Sequence, residues 1–491
     1  MKVYNLYIIA LTVLLLSGCK QENRNYNYEE AVVAETGTAI LENSEEATDA
    51  YNPYPEYNFE GEGYTETIEN AFENPATKPL STFSIDVDNA SYTNIRRMIS
   101  NGEKIPIGAV RVEEMINFFK YNYPQPTGNQ PFSINTELND CPWNKQHKLL
   151  KIGLQGKIIQ NNNLPPSSLV FLIDVSGSME DDNKLPLLKE SMKVLLEELR
   201  PEDKVSIVVY AGGEGIVMAY QLAEDNFIKG GNNRIILATD GDFNVGVSSE
   251  NELQKLIEQK RKSGIFLTCL GFGTGNLQDN VMEILADKGN GNYAYIDTIQ
   301  EANRFLGKEF KGSMFAIAKD VKIQIEFNPR LVQSYRLIGY ENRKLNDEDF
   351  KNDVIDAGEL GSGHSVTALY EIIPSGIESQ YSPTKLKYTP SKTIISQSNE
   401  LATIKFRYKK PSEDTSNEIV KTIPNSIINS NIVSDDFKFA ASVAWFGLKL
   451  RDSKYIEYKD INSIKSLAKK AVAIDEDGYR SEFVRLIEST N

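Results

Sequence analysis

S-L-V-F-L-I-D-V-S-G-S-M occupies positions Ser168 to Met179 of the 491-residue chain. Leu169 to Ile173 is an unbroken apolar run, the pattern of a strand buried on both faces in a parallel sheet. Asp174, Ser176 and Ser178 follow, with Gly177 easing the turn, and Leu185 to Leu199 then carries a helical pattern. Three small oxygen-bearing side chains are thereby predicted on a loop at the carboxyl end of a buried strand, where open α/β sheets bind their ligands. Carboxylate and hydroxyl oxygens are hard donors, suited to Mg²⁺ or Mn²⁺ and poorly suited to zinc. The alternative is a Ser/Asp turn that only caps the next helix.

A second run, Arg234 to Thr239, ends in Asp240-Gly241-Asp242. If the two strands are neighbours, Asp240 reaches the same cation. With both motifs in view, the sequence resembles the von Willebrand factor type A (VWA) domain and its metal-ion-dependent adhesion site. That family carries D-x-S-x-S after its first strand, a Thr on a middle loop and an Asp in a T-D-G turn. The resemblance assigns Asp174, Ser176, Ser178 and Asp240 as ligands of Mg²⁺ or Mn²⁺, the serines directly and the aspartates largely through water. It also implies an open coordination position, completed by an acidic side chain of a partner protein.

The Thr loop is missing from this chain. No Thr or Ser occurs from Ala211 to Asn233, and Thr239, on the strand before Asp240, is expected to point elsewhere. Glu214 in Gly212 to Gly215 reads as a solvated charge, with a ligand role as the alternative. The edge strand and one helix that the family places here are absent too. Val205 to Tyr210 is therefore expected to form the edge of a five-stranded sheet, with Val208 and Val209 partly uncovered. Gly271 to Gly275, G-F-G-T-G, lacks the G-K-[ST] ending of a phosphate-binding P-loop and reads as a turn walling the metal site.

The formal net charge of −16 argues against a nucleic-acid binder, since neutralising phosphates needs basic patches. Three cysteines and two histidines leave little material for zinc or for Cys/His catalysis. Residues 1–18 read as a signal peptide with Lys2 ahead of a short apolar core, too short for a comfortable membrane span. Leu16-Ser17-Gly18-Cys19 resembles the bacterial lipobox, which implies cleavage before Cys19, lipid on that residue and a protein anchored in the cell envelope; Lys20 resembles outer-membrane rather than inner-membrane sorting.

Residues 19–79 are predicted to be a disordered acidic linker, because their composition cannot bury enough apolar area to offset ordering entropy. Residues 80–166 hold two helical patterns and three strands, Leu80 to Asp88, Phe132 to Leu138 and Lys148 to Leu154, with Asp88 or Asn89 read as a helix cap. The central domain spans 167–312, where strands alternate with helices, as in a doubly wound, mostly parallel α/β sheet. From 313 to 433 the alternation is period-two, the mark of antiparallel strands with one buried face. These strands are expected to join those before Ser167 in one β-sandwich, with the α/β domain inserted between its halves. Residues 434–491 carry three helices, the first opened by Ser434. The segments P-L-S-T-F-S-I-D-V-D (Pro79 to Asp88) and R-L-I-G-Y-E-N-R (Arg336 to Arg343) resemble the flanking regions of bacterial VWA lipoproteins.

Three functional classes follow. The first is metal-dependent binding of another protein, and the second is a metal-independent structural or interaction protein with a degenerate site. The third, a phosphohydrolase with Asp174 as nucleophile, is weakened because Ser176 stands where such enzymes need a second Asp.

Overall fold

The computed structural model describes residues 61–211, 215–241, 250–381, 398–426, 433–472 and 475–490. The signal peptide, Cys19 and Glu214 lie outside the described residues. The chain opens with β1 (Leu80–Ser84), α1 (Ala90–Asn101), α2 (Val112–Asn117), β2 (Phe132–Cys141) and β3 (Asn144–Gly156). The α/β domain follows as β4 (Ser167–Asp174), α3 (Leu185–Glu198), β5 (Lys204–Tyr210), α4 (Gly215–Asp225), β6 (Asn232–Thr239), α5 (Glu250–Arg261), β7 (Ile265–Phe272), α6 (Asp279–Lys288) and β8 (Tyr293–Ile296). Six strands come next: β9 (Ala316–Phe327), β10 (Val332–Ile338), β11 (Leu360–Gly361), β12 (Ser365–Pro374), β13 (Glu400–Lys409) and β14 (Asn417–Pro424). Helices α7 (Asp435–Leu450), α8 (Ile461–Lys469) and α9 (Tyr479–Ser489) close the chain.

The fold is an α/β sheet inserted in an antiparallel sandwich. Strands β5-β4-β6-β7-β8 form the parallel sheet in that order. Its two faces bury separate apolar clusters, as a doubly wound sheet requires. One sandwich sheet is β10-β12-β3-β2; the other is β1-β9-β13-β14, with β11 on β9. Strands from before and after the insertion thus share one core, where Leu150 and Ile152 meet Ile323, Ile325 and Phe406. The outer face of β3 and β12 is also covered, because Leu149 and Leu369 pack with α7 and α9. Ser434 caps α7 as expected, its Oγ accepting from Phe437 N at 3.0 Å.

Three expectations are corrected. The linker does not extend to residue 79: Asn70 donates to the carbonyls of Leu337 and Gly339, and Glu73 bridges Tyr335. A few anchoring side chains dock a segment that composition alone marks as disordered. Asn89 makes no capping bond to α1; Ser91 N instead donates to Glu114 Oε2 at 2.8 Å, while Asp88 Oδ1 accepts from Tyr293 N. On the edge strand β5, Val208 is buried, because successive side chains alternate and its face is covered by α4. The uncovered residues are Val205, Ile207 and Val209, with Ile207 64% exposed. Ile207→Thr is accordingly expected to change the unfolding free energy by no more than about 0.5 kcal/mol, read by urea titration.

Candidate binding apex

β4 lies between β5 and β6 in the parallel sheet, and its last residue, Asp174, is 1% exposed. The carboxylate is fully engaged. Oδ1 accepts from Ser176 N at 2.9 Å and from Ser176 Oγ at 2.6 Å. Oδ2 accepts from Thr239 Oγ1 at 2.8 Å and from Tyr210 OH at 3.4 Å. Burial and the Asp174 charge hold the Tyr210 phenol well above its ordinary pKa, which keeps it a donor. Ser176 Oγ lies 3.1 Å from Ser178 Oγ. Asp174, Ser176 and Ser178 are therefore brought together.

Thr239 was expected to point away, and it does not. The parallel register sets Ile173 beside Ala238, so the next residues, Asp174 and Thr239, are neighbours on adjacent strands. Side chains in register on adjacent strands share a face, which brings the Thr239 hydroxyl to Asp174.

Asp240 is fully buried one residue beyond β6 and has a different principal partner. Lys184 Nζ lies 3.1 Å from Asp240 Oδ2, 3.0 Å from Asn276 Oδ1 and 2.9 Å from the Ser178 carbonyl. Asn276 Nδ2 also donates to Asp240 Oδ2, at 2.9 Å, which fixes the amide with its oxygen toward the lysine. An ammonium has three donors, and here three oxygens accept them. Its side chain is only 5% exposed. The glycine-rich loop makes this possible: at Gly273, φ +77, an added Cβ would fall 2.3 to 2.8 Å from three carbons of the Lys184 stem. G-F-G-T-G is thus a turn that leaves a channel for a lysine. Neither Lys184 nor Asn276 was singled out by sequence, since a lysine ahead of a helix reads as solvated.

These residues do not fit Mg²⁺ or Mn²⁺ while Lys184 is in place. A dication sharing Asp240 would sit on the order of 4 Å from the ammonium, where repulsion at an effective dielectric of about 20 is about 8 kcal/mol. Among the described residues, no group of three or more His, Cys, Asp or Glu gathers to hold a metal ion.

Comparison with known proteins follows this geometry. Residues 312–491 match the family model described as "Uncharacterized protein YfbK, C-terminal". Residues 167–214 and 222–295 match the von Willebrand factor type A domain, and residues 58–151 match a model described as von Willebrand factor. The Escherichia coli (strain K12) protein YfbK is 41% identical over 466 residues, covering 87% of this chain and 80% of that one. This chain belongs to the YfbK family of VWA-domain proteins. Human inter-alpha-trypsin inhibitor heavy chain H4 is 28% identical over 148 residues, 22% of this chain and 16% of that protein. A solved von Willebrand factor type A protein from Catenulispora acidiphila is similar at 14% identity, covering 75% of this chain and 92% of that one, with a TM-score of 0.39.

Proposed function

We propose that this YfbK-family protein is a non-catalytic binding module, held at the bacterial cell envelope by lipid on Cys19, that engages another protein at the carboxyl edge of its parallel sheet. The observation that carries the reading is the apex itself, where the bonded Asp174, Ser176 and Ser178 side chains lie next to Asp240, which is paired with the buried Lys184 ammonium. Of the two forms of this reading, the Lys184 ion pair supports the metal-independent one; the metal-dependent one would need Lys184 to withdraw. A hydrolase is disfavoured, because an Asp174 nucleophile would have to give up bonds from Ser176, Thr239 and Tyr210 and would have to be reachable.

The test is site-specific photo-crosslinking of the full-length protein in intact cells. A photoreactive residue replacing exposed Asp182, beside the apex, is expected to give one discrete protein adduct, unchanged by EDTA. The same residue at exposed Lys262, at the opposite end of the sheet, is expected to give none. Equal labelling from both positions, or none from Asp182, would overturn the reading. An Asp182 adduct lost in EDTA would support the metal-dependent form.

A further inference from the structure

We propose that Lys184 is a built-in cation that replaces the dication of the adhesion site and holds the apex closed, so that removing its charge converts the apex into a divalent-metal site. The inference concerns how the binding face proposed above is held, and its test uses no partner protein. Failure here would therefore leave the partner reading standing.

Two independent observations support the assignment, and a third feature follows from the first. The first is coordination. Lys184 Nζ is held at 2.9 to 3.1 Å by a carbonyl, an amide oxygen and the Asp240 carboxylate, a set of hard oxygens that would serve a metal equally well. The second is the route of the side chain. Gly273 has no Cβ where the Lys184 stem passes, and Tyr295 OH donates to the Gly273 carbonyl at 2.7 Å, which fixes that turn. The third is saturation. All three ammonium donors have acceptors inside the protein, so this cation has no open position for a partner's carboxylate. The absent Thr loop fits the same account, since an internal ammonium held by three protein oxygens needs no ligand from residues 211–233.

Lys184→Met keeps an unbranched apolar stem, one atom shorter, and removes the charge with its three donors. Asp240, the Asn276 amide oxygen and the Ser178 carbonyl are then left without their cation, beside Asp174, Ser176 and the Ser178 hydroxyl. The experiment titrates MnCl₂ into the wild type, Lys184→Met and Lys184→Met/Asp240→Asn, by calorimetry and by the loss of free Mn²⁺ signal in electron paramagnetic resonance. The expected result is at least 100-fold tighter Mn²⁺ binding by Lys184→Met than by the wild type, and loss of that gain in the double variant. Wild-type binding as tight as that of Lys184→Met would overturn the proposal. So would a folded Lys184→Met that binds no better than the wild type. Should Lys184→Met fail to fold, Lys184→Gln provides the uncharged side chain, and Asp174-dependent Mn²⁺ binding by the wild type alone would still sink the idea.

Discussion

Replacing Glu371 with glutamine is expected to lower the unfolding free energy by about 3–5 kcal/mol, the cost of leaving a buried charge without its partner. Glu371 sits on β12 with no exposed surface, and Arg336 beside it on β10 is 2% exposed. Arg336 donates to Glu371 Oε2 at 2.8 Å, and His147 Nδ1 lies 2.6 Å from Oε1. The guanidinium also stacks over Tyr455, 4.5 Å from its ring centroid, and over Phe72 at 5.5 Å. One ion pair therefore ties together the N-terminal segment, the sandwich and the chain after α7. Burial pushes the Glu371 carboxyl up, but Arg336 and His147 outweigh it and hold it below the ordinary range. A depressed carboxylate contributes stability that is present above its unfolded pKa, about 4.3, and is lost as pH falls through the folded value. Denaturant unfolding at pH 7 and at pH 3.5 reads both effects: the wild-type advantage over Glu371→Gln should be large at pH 7 and reduced at pH 3.5. A loss below about 1 kcal/mol at pH 7 would mean that the pair is relaxed or hydrated. Pairing Glu371→Gln with Arg336→Met should recover part of the loss, because both buried charges then go.

The sandwich and its insertion were legible because hydrophobic period reports burial directly. Ile323 and Ile325 alternate on β9, Val366 and Ala368 alternate on β12, and all four reach the same core. The α/β sheet was legible in the same way, from unbroken runs such as Leu169 to Ile173. Strand β14 was not, because its burial is nearly all half or none and N-E-I-V-K-T-I-P offers only a weak alternation. The site was legible wherever a short motif follows its own strand, as Asp174 and Ser176 do. It was illegible wherever a residue acts at long range. Lys184 meets Asp240 across 56 positions and Asn276 across 92, and nothing local to Lys184 announces either contact. The 61–79 segment escaped for a related reason: a few side chains such as Asn70 and Phe72 fix it, against a background that reads as solvated.

Glu113→Gln is expected to stabilise the protein increasingly as pH rises from 5 to 8. Glu113 lies on α2, is 1% exposed, and its Oε2 has no hydrogen-bond partner. Burial, reinforced by the charges of Glu341, Asp86 and Glu114, pushes its carboxyl up to about 8. Gly339 is what lets the carboxyl sit there, since an added Cβ would lie 2.4 Å from Oε2. A carboxyl raised in the folded state contributes stability that is complete below the unfolded pKa and is lost as pH climbs through the folded one. Between pH about 4.5 and about 8 the unfolded chain ionises freely while the folded chain keeps its proton, so stability drifts down by about 1.4 kcal/mol per pH unit. Glutamine has no proton to lose and removes that drift at this position. The neighbouring Glu114, raised to about 7 by burial despite Arg111, contributes a drift of its own in both proteins. Because the Glu114 charge helps raise Glu113, the two titrate together, and the difference between wild type and Glu113→Gln reports Glu113 with its coupling to Glu114. Urea unfolding at pH 5, 6.5 and 8 should show that difference growing in favour of the variant by about 3 kcal/mol or more across the range. Parallel pH profiles would mean that Glu113 is ionised throughout, and that a cation or water not seen among these residues shares its pocket.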